Sequence, residues 1–210
     1  MLNVYEKYLL PRLLNCLCSA KPVRYQREKV VPGAQGVVLE VGIGSGLNIP
    51  FYNVAKVERV IGLDPSVELN ALARCVAAEH CVPVELMLGD AQAIALAENS
   101  VDTVLVTYTL CTIPDALSAC REMLRVLKPN GRLIFCEHGI APDVSVARWQ
   151  ARIDPLWGLL AGGCHLNRDI PRLLTDAGFE LQNLEQMYLP STPRFAGYNF
   201  WGSAQIGGHL

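Results

Sequence analysis

The sequence predicts an α/β fold in which a parallel sheet is covered by helices on both faces. One observation behind this prediction is the alternation of short, continuous apolar runs with longer stretches of helical periodicity, which is typical of buried parallel strands joined by helices. The other is a glycine-rich turn directly after the first apolar run, at the point where open α/β sheets bind their ligands. The length of 210 residues is that of one ordinary domain, so we expect residues 1–210 to form one.

The first half of the chain contains four runs of strand length, each followed by a turn or a helix. We expect these strands at residues 36–41, 57–63, 84–88 and 103–106. Helices are expected near 48–53, over 66 to about 79, and from about 114 onward. The last of them ends before Lys128-Pro129-Asn130-Gly131, because proline and glycine in that order stop a helix.

The second half departs from this regular alternation. A fifth strand is expected at 132–137, a helix at 168–177 ending at Gly178, and two closing strands at 179–188 and 196–205. Between the fifth strand and that helix, residues 141–166 carry Trp149 and Trp157 in a mixed stretch that includes a glycine pair. We interpret this stretch as an inserted helical cap over the ligand-binding edge of the sheet.

The first 35 residues are expected to form N-terminal helices. Residues 4–18 are apolar with helical spacing. Pro11 and Arg12 interrupt them, however, and the stretch is shorter than the ~20 residues that a membrane span needs. We therefore predict no membrane span. We interpret the stretch as an amphipathic lid in preference to a dimer face or a weak membrane-surface helix.

Composition and charge narrow the classes of partner. The formal net charge of -2, without a basic stripe, gives no reason to expect a nucleic-acid partner. The eight cysteines include no C-x-x-C pair, so most are expected to be buried packing residues in a reduced, cytoplasmic setting.

Because no pair of histidines or cysteines has ligand spacing, no metal is expected. The chain is expected to be a monomer or a homodimer.

The glycine-rich turn has the composition of a cofactor site. Gly42, Gly44 and Gly46 alternate directly after the first strand, and Glu40 precedes them by two residues. Dinucleotide-binding turns have the spacing G-x-G-x-x-G, which aims backbone amides at a pyrophosphate. The G-x-G-x-G spacing, with a carboxylate nearby, instead favours S-adenosylmethionine, which has an ammonium and a sulfonium and no phosphate. Asn48, just after the turn, is included in the expected cofactor site.

Further candidate cofactor residues follow the next three strands in order. An acid at the end of the second strand, about 20 residues beyond the glycines, suits the two ribose hydroxyls. An acid after the third strand suits the adenine amino group, and the segment after the fourth strand should line the methionine end. These residues are Asp64 with Pro65, Asp90 with Ala91, and Thr107, Tyr108 and Cys111. Each feature alone is weak evidence for a cofactor site, but all of them occurring in this order after successive strands is specific evidence for one.

These motifs resemble those of the class I S-adenosylmethionine-dependent methyltransferases over residues 38–137. The phrase Leu127-Lys128-Pro129-Asn130-Gly131-Arg132 is similar to the approach of that family to its fifth strand. The resemblance implies a Rossmann-like, seven-stranded sheet of order 3-2-1-4-5-7-6, with strand seven antiparallel and helices on both faces. It also implies S-adenosylmethionine as cofactor and a small molecule as methyl acceptor.

A closer resemblance covers residues 38–197, and it is to the thiol S-methyltransferases of the animal methyltransferase-like group. It rests on Leu110-Cys111-Thr112, Cys136-Glu137-His138, Arg148-Trp149-Gln150, Asp154-Pro155-Leu156-Trp157 and Gly163-Cys164-His165-Leu166-Asn167-Arg168. It implies a hydrophobic thiol as acceptor, although we expect no long hydrophobic membrane anchor like that of the group. Quinol C-methyltransferases and phospholipid N-methyltransferases, which share the first half, remain an alternative. A non-catalytic S-adenosylmethionine-binding sensor or partner subunit is another.

The acceptor side has three candidate catalytic residues. Methyl transfer from a sulfonium is an in-line displacement on an activated donor, so a thiol with a pKa near ~8.5 benefits from a base without requiring one. His138 lies beyond the fifth strand, and Cys164 and His165 lie in the glycine-rich segment that is expected to fold over the pocket. For each of the three residues, the alternative to a catalytic role is a structural role in hydrogen bonding or packing.

Two further groups leave their interpretation open. Trp149, Trp157, Tyr108 and Tyr198 supply either an apolar wall for the acceptor or ordinary core packing. The basic residues Arg24, Arg27 and Lys29, before the first strand, either meet an anionic acceptor or form a solvated helix face.

Overall fold

The computed structural model describes residues 18–208, which contain a seven-stranded sheet of order β3-β2-β1-β4-β5-β7-β6. The first five strands are parallel, and β7 runs antiparallel between β5 and β6. The strands are β1 (Gly36–Val41), β2 (Val57–Asp64), β3 (Val84–Leu88), β4 (Val101–Thr107), β5 (Leu127–His138), β6 (Phe179–Tyr188) and β7 (Tyr198–Ile206). The predicted fold class and strand order are confirmed.

Helices cover both faces of this sheet. They are α1 (Lys21–Val30), α2 (Val67–His80), α3 (Ala116–Val126), α4 (Val144–Leu160), α5 (Ile170–Asp176) and the short α6 (Arg194–Gly197). Two single turns of 3-10 helix lie at Val31–Gly33 and Ile49–Phe51. The N-terminal stretch predicted at 4–18 lies, up to residue 17, outside the described residues. That residues 1–210 form one domain stays a prediction.

The central strands are mainly apolar because both of their faces are buried. In β1, Val38 packs into the core on one side of the sheet and Leu39 into the core on the other, and both are fully inaccessible. The neighbouring β4 repeats the pattern with Leu105 and Val104. Since side chains alternate along a strand, a continuous apolar run is what a two-sided core requires. This core fixes the edge at which the functional residues collect.

The helices begin where the sequence provides capping side chains. Ser66, Asp115 and Asp169 each accept a hydrogen bond from a backbone N–H in the first turn of α2, α3 and α5. At the other end of α3 the helix stops before Lys128, as predicted, but β5 starts at Leu127 and not at the predicted Arg132. The helix ends at Val126 and β5 starts at once, because Leu127 pairs with Val101 before the register shifts.

The predicted inserted segment contains α4, a helix of 17 residues. Its Trp149 is 60% exposed, so the core-packing interpretation of this residue was wrong. The indole lines an open surface groove with Ile153 and Phe195, and a contact with the acceptor stays a prediction. Tyr198, by contrast, is a core residue that packs edge-to-face on Tyr188 and Phe200. Among residues 18–208, no helix is both long and apolar enough to cross a membrane.

Candidate cofactor and acceptor site

The glycine loop after β1 contains one position that faces open space. Gly42 and Gly44 have φ angles of +73° and +56°, where L side chains are strained. A Cβ on Gly42 would lie 2.3 Å from the Thr109 hydroxyl, so this glycine is required for packing against the segment after β4. A Cβ on Gly44 would have no neighbour closer than 3.9 Å, so the backbone there is left accessible to a ligand.

Asp64 ties the end of β2 to this loop. One of its carboxylate oxygens accepts from the Gly44 N–H at 2.9 Å and the other from the Ser66 N–H at 2.8 Å. Burial raises the pKa of the Asp64 carboxyl, and these two backbone donors oppose that effect. Each carboxylate oxygen keeps a further lone pair for a ribose hydroxyl. The exposed Pro65 follows directly and leads into α2.

The predicted adenine residues lie after β3. Asp90 is exposed, and its two oxygens accept from the backbone N–H and the side-chain amide of Gln92 at 2.9 and 2.7 Å. Ala91 beside it is buried. A role for this pair in adenine binding stays a prediction.

A buried polar network lies at the end of β1. Glu40 is 1% exposed and accepts from the Asn48 amide at 2.9 Å and from the Tyr52 hydroxyl at 2.6 Å. Burial raises the pKa of Glu40 to about 7, while the two donors and the nearby Arg27 act in the opposite direction. Glu40 and Asn48, both predicted from the sequence, therefore belong to one hydrogen-bonded unit.

Arg27 is the principal residue of this network that the sequence left ambiguous. It is 5% exposed and donates from Nη1 to the Asn48 carbonyl at 2.6 Å and to the Thr107 hydroxyl at 2.5 Å. Its guanidinium also lies 5.2 Å from the centre of the Tyr108 ring. Nε of Arg27 has no hydrogen-bond partner among residues 18–208.

Helical periodicity separates Arg27 from the other basic residues of α1. Arg27 precedes the buried Val30 and Val31 by three and four residues, so it shares their face of the helix. Arg24 is exposed and pairs with Glu28, and Lys29 lies over the Trp201 ring. The solvated-face interpretation therefore holds for Arg24 and is wrong for Arg27.

The segment after β4 is held by a buried carboxylate that the sequence did not single out as a site residue. Glu137, in β5, accepts from the N–H groups of Thr109 and Leu110 at 2.7 and 3.1 Å. Burial raises its pKa to about 7 against these two donors. Its second oxygen has no partner among the described residues. The turn begins at Tyr108, whose φ is +53° and whose hydroxyl donates to Asn199 at 2.8 Å.

Two of the three predicted catalytic residues meet one predicted cofactor residue. Sγ of Cys164 lies 3.3 Å from Nε2 of His138, and both atoms lie within 4.8 Å of Sγ of Cys111. Donation from Cys111 and His138 holds the pKa of Cys164 well below its ordinary value, although burial opposes this. Burial lowers the pKa of His138, but the contact with Cys164 and the charge of Glu137 together raise it above its ordinary value. The imidazole of His165 pairs instead with Asp154 at 2.8 Å.

The motifs from the second half of the chain build the support for Cys164. The backbone N–H of His165 donates to the carbonyl of Cys111 at 2.8 Å. Arg168 donates from its two terminal nitrogens to the carbonyls of Leu110 and Ile113 at 2.7 and 2.6 Å. The segment that carries Cys164 is therefore fastened directly to the segment after β4.

Gln150 and Asp154 attach α4 to the same unit. The buried Gln150 amide donates to the carbonyls of Gly139, Leu166 and Phe195 at 2.9 to 3.1 Å. Asp154 accepts from the Leu166 N–H at 2.7 Å. Trp157, on the same helix, lies close enough to Cys164 to lower the pKa of that thiol. The contact is too long or too bent for its indole N–H to count as a hydrogen-bond donor to a described residue.

Replacing Asp64 with alanine is expected to weaken binding of S-adenosylmethionine by about 1–3 kcal/mol, because buried hydroxyls of the cofactor would lose their acceptor. Isothermal titration calorimetry measures this loss. Asp90→Ala, at an exposed acid, is expected to cost less. Unchanged affinity in Asp64→Ala would mean that the ribose binds elsewhere.

The pKa of Glu40 predicts how the stability of the cofactor-free chain depends on pH. Because its pKa is raised from 4.5 to about 7 in the folded state, the folded chain keeps a proton that the unfolded chain has lost between these values. Stability contributed by Glu40 therefore falls as pH rises through this window, by up to roughly 1.4 kcal/mol per pH unit. Urea unfolding of Glu40→Gln should show less of this fall. Glu58→Gln, at an exposed carboxyl, is the control, and parallel profiles for wild type and Glu40→Gln would contradict the prediction.

The comparisons with known proteins agree with this fold. A family model described as a methyltransferase domain matches residues 39–135. A SAM-dependent methyltransferase from Thermotoga maritima has the same fold, with a TM-score of 0.70 at 18% identity and coverage of 98% of this chain and 100% of that chain. The human thiol S-methyltransferase TMT1A is 32% identical over 177 residues, which are 80% of this chain and 71% of the relative. The chain belongs to the class I S-adenosylmethionine-dependent methyltransferases, and S-adenosylmethionine is its cofactor.

Within that class, the long matches include thiol S-methyltransferases and, at 27% identity over 80% of this chain, the mitochondrial methyltransferase OMS1 of Saccharomyces cerevisiae. The human thiol S-methyltransferase TMT1B is 31% identical over 200 residues, 90% of this chain and 81% of the relative. A phosphatidylethanolamine N-methyltransferase of Cereibacter sphaeroides and a demethylmenaquinone methyltransferase of Renibacterium salmoninarum match 49% and 51% of this chain. The chain is therefore similar to the thiol S-methyltransferases over most of its length and to the phosphatidylethanolamine and demethylmenaquinone methyltransferases over about half of it.

Proposed function

We propose that this methyltransferase acts on the sulfur of a small hydrophobic thiol. The observation that carries the proposal is that thiol S-methyltransferases match 80% and 90% of the chain at 32% and 31% identity, whereas the phosphatidylethanolamine and demethylmenaquinone methyltransferases match about half of it. Two more observations support it. The second-half motifs that resemble that group build the support around Cys164 and His138. The acceptor edge combines sulfur and aromatic side chains with two buried carboxylates, Glu137 and Asp154, and both accept backbone hydrogen bonds.

We further propose how the chain holds its cofactor. The backbone at Gly44 leaves room for the ligand, and Asp64 is placed for its ribose. The unpartnered Nε of the buried Arg27 suits the carboxylate of the methionine part, and Glu40 lies nearby for the ammonium group. These residues fit a ligand that has a carboxylate, an ammonium and two ribose hydroxyls and that lacks a phosphate.

The reaction needs alignment more than acid–base catalysis. The bound cofactor supplies an activated methyl group on a positively charged sulfur. The acceptor sulfur forms a bond to that methyl carbon while the bond between the methyl carbon and the cofactor sulfur breaks. The electron pair of the broken bond stays on the cofactor sulfur. The acceptor proton leaves to solvent or a nearby base. Glu137 and Arg168 hold the segment after β4 in one geometry, which favours this in-line arrangement.

A matched panel of acceptors tests the proposal. Octanethiol, octanol and octylamine share one chain and differ only in the nucleophile, and a demethylated quinol and phosphatidylethanolamine vesicles represent the alternatives. We expect transfer of a labelled methyl group to octanethiol alone. Transfer only to the quinol or to phosphatidylethanolamine would overturn the thiol assignment in favour of those alternatives. Cofactor binding without transfer to any acceptor would favour a non-catalytic binding protein.

A further inference from the structure

Three segments that are far apart in the chain bring two thiols and an imidazole together. Cys111 follows β4, His138 ends β5, and Cys164 lies between α4 and α5. Sγ, Nε2 and Sγ of these residues all lie within 4.8 Å of one another, and the shortest of the distances is 3.3 Å. No short-range spacing reveals such a group, which is why the sequence predicted no metal here.

The geometry and the donor types suit zinc. Zinc binds thiolate at about 2.3 Å and imidazole at about 2.0–2.1 Å in a tetrahedron, which places the ligand atoms roughly 3.5–3.8 Å from each other. Two cysteines and one histidine form a three-ligand set that leaves a fourth position open, as in catalytic zinc sites. Oxygen-preferring cations such as magnesium do not select this donor set.

The three ligands are held by contacts that do not use their own ligating atoms. The His165 N–H and Arg168 fasten the Cys164 segment to the carbonyls of residues 110–113, and Gln150 fastens α4 to the end of β5. A preformed support of this kind is what keeps metal ligands in place. Cys120 and Cys136 are also buried, but both pack in the core clusters, so the convergence at Cys164 is not a general property of the cysteines.

Buried polar atoms without partners surround the group. Nδ1 of His138 and Oε2 of Glu137 have no hydrogen-bond partner among residues 18–208. Orphaned buried atoms are rare in folded proteins and mark places where a ligand or bound water completes the structure. They lie at the same edge as the segment after β4, which is part of the expected cofactor site.

We propose that Cys111, His138 and Cys164 bind one zinc ion and that its open position takes the sulfur of the acceptor thiol. The second part rests on the proposed thiol methylation. A thiol bound to zinc gives up its proton to solvent, and its sulfur then bonds to the methyl carbon as the bond to the sulfonium breaks. The electron pair of the broken bond stays on the sulfur of S-adenosylhomocysteine, and zinc remains divalent throughout. The neutral thioether product is a weaker ligand than a thiolate, so it leaves.

Metal analysis of the purified chain tests the first part. After expression with added zinc and dialysis, we expect about one zinc ion per chain in wild type and in Cys75→Ser, whose thiol is exposed on α2. Cys164→Ser, Cys111→Ser and His138→Gln should retain less than about a tenth of that. Circular dichroism shows whether each variant is folded. Zinc-free, folded wild type, or folded ligand variants that keep their zinc, would overturn the site.

Cobalt substitution tests the second part without depending on turnover. Tetrahedral cobalt with thiolate ligands absorbs in the visible and near ultraviolet, and a third sulfur ligand changes that spectrum. We expect octanethiol to change the cobalt spectrum and octanol to leave it unaltered. A spectrum that octanethiol does not affect would overturn coordination of the acceptor. Zinc binding without thiol methylation would refute the proposed function and leave the zinc site standing, whereas thiol methylation by a zinc-free chain would refute this inference alone.

Discussion

Gly44→Ala is expected to lose at least about a hundredfold in affinity for S-adenosylmethionine, which is roughly 3 kcal/mol. The φ of Gly44 is +56°, and its Cβ would project into space that no described residue occupies. The added methyl group would therefore take the place of ligand atoms, because a ligand that rests on glycine backbone comes closer than a Cβ permits. Calorimetric titration with S-adenosylmethionine and S-adenosylhomocysteine measures the loss.

The control for Gly44→Ala must share its backbone strain. Gly178 has a φ of +103° at the end of α5, and a Cβ there would meet only the side chain of Leu124, at 3.3 Å. Gly178→Ala should therefore lose stability, by about 1–2 kcal/mol for the left-handed conformation, and keep its cofactor affinity. Equal affinities in both variants would show that the cofactor does not rest on Gly44.

Arg27→Met is expected to destabilise the cofactor-free chain by about 3–4 kcal/mol, because it breaks a buried charged network. Methionine fills much of the volume but removes the donor to Asn48 and Thr107. It also removes a positive charge that lowers the pKa of Glu40, so the buried carboxylate becomes harder to ionise. Urea unfolding measures the change, and calorimetry should show weaker cofactor binding as well.

Arg24→Met provides the matched control on the same helix. The side chain of Arg24 is 64% exposed and pairs with Glu28 across one helical turn. Exposed pairs of this kind contribute little, so we expect a change of at most about 0.5 kcal/mol. Similar stabilities for the two variants would contradict the importance given to the buried guanidinium.

The first half of the fold was predictable because its information is local. The bounds of β1 and β3 match the prediction, since an apolar run bounded by turn residues defines a buried strand without reference to its neighbours. Gly44 and Asp64 were predicted for the same reason, since each directly follows such a strand. The start of β5 was wrong because it depends on pairing between Leu127 and Val101, which no local pattern encodes.

The residues of the acceptor side could be named from the sequence but not assembled. His138, Cys164 and Cys111 were each candidates, yet they were assigned to different roles, and the structure places them in one group. His165 was an equal candidate to Cys164, but its imidazole is turned to Asp154. The packing of α4 and the segment after it decides that Cys164, and not the adjacent His165, joins this group.

The sequence by itself determined the class of enzyme and its cofactor. It also predicted the edge of the sheet for the cofactor site, because glycines and acids at successive strand ends must meet there in a parallel sheet. The tertiary structure decided which charges are buried and which distant side chains touch. Arg27 and Glu137 are ordinary charged residues in the sequence, and only packing removes them from water and gives them partners. Burial and contact between distant segments arise from the whole chain at once, and for that physical reason the network at Glu40 and the group around Cys164 became visible only in three dimensions.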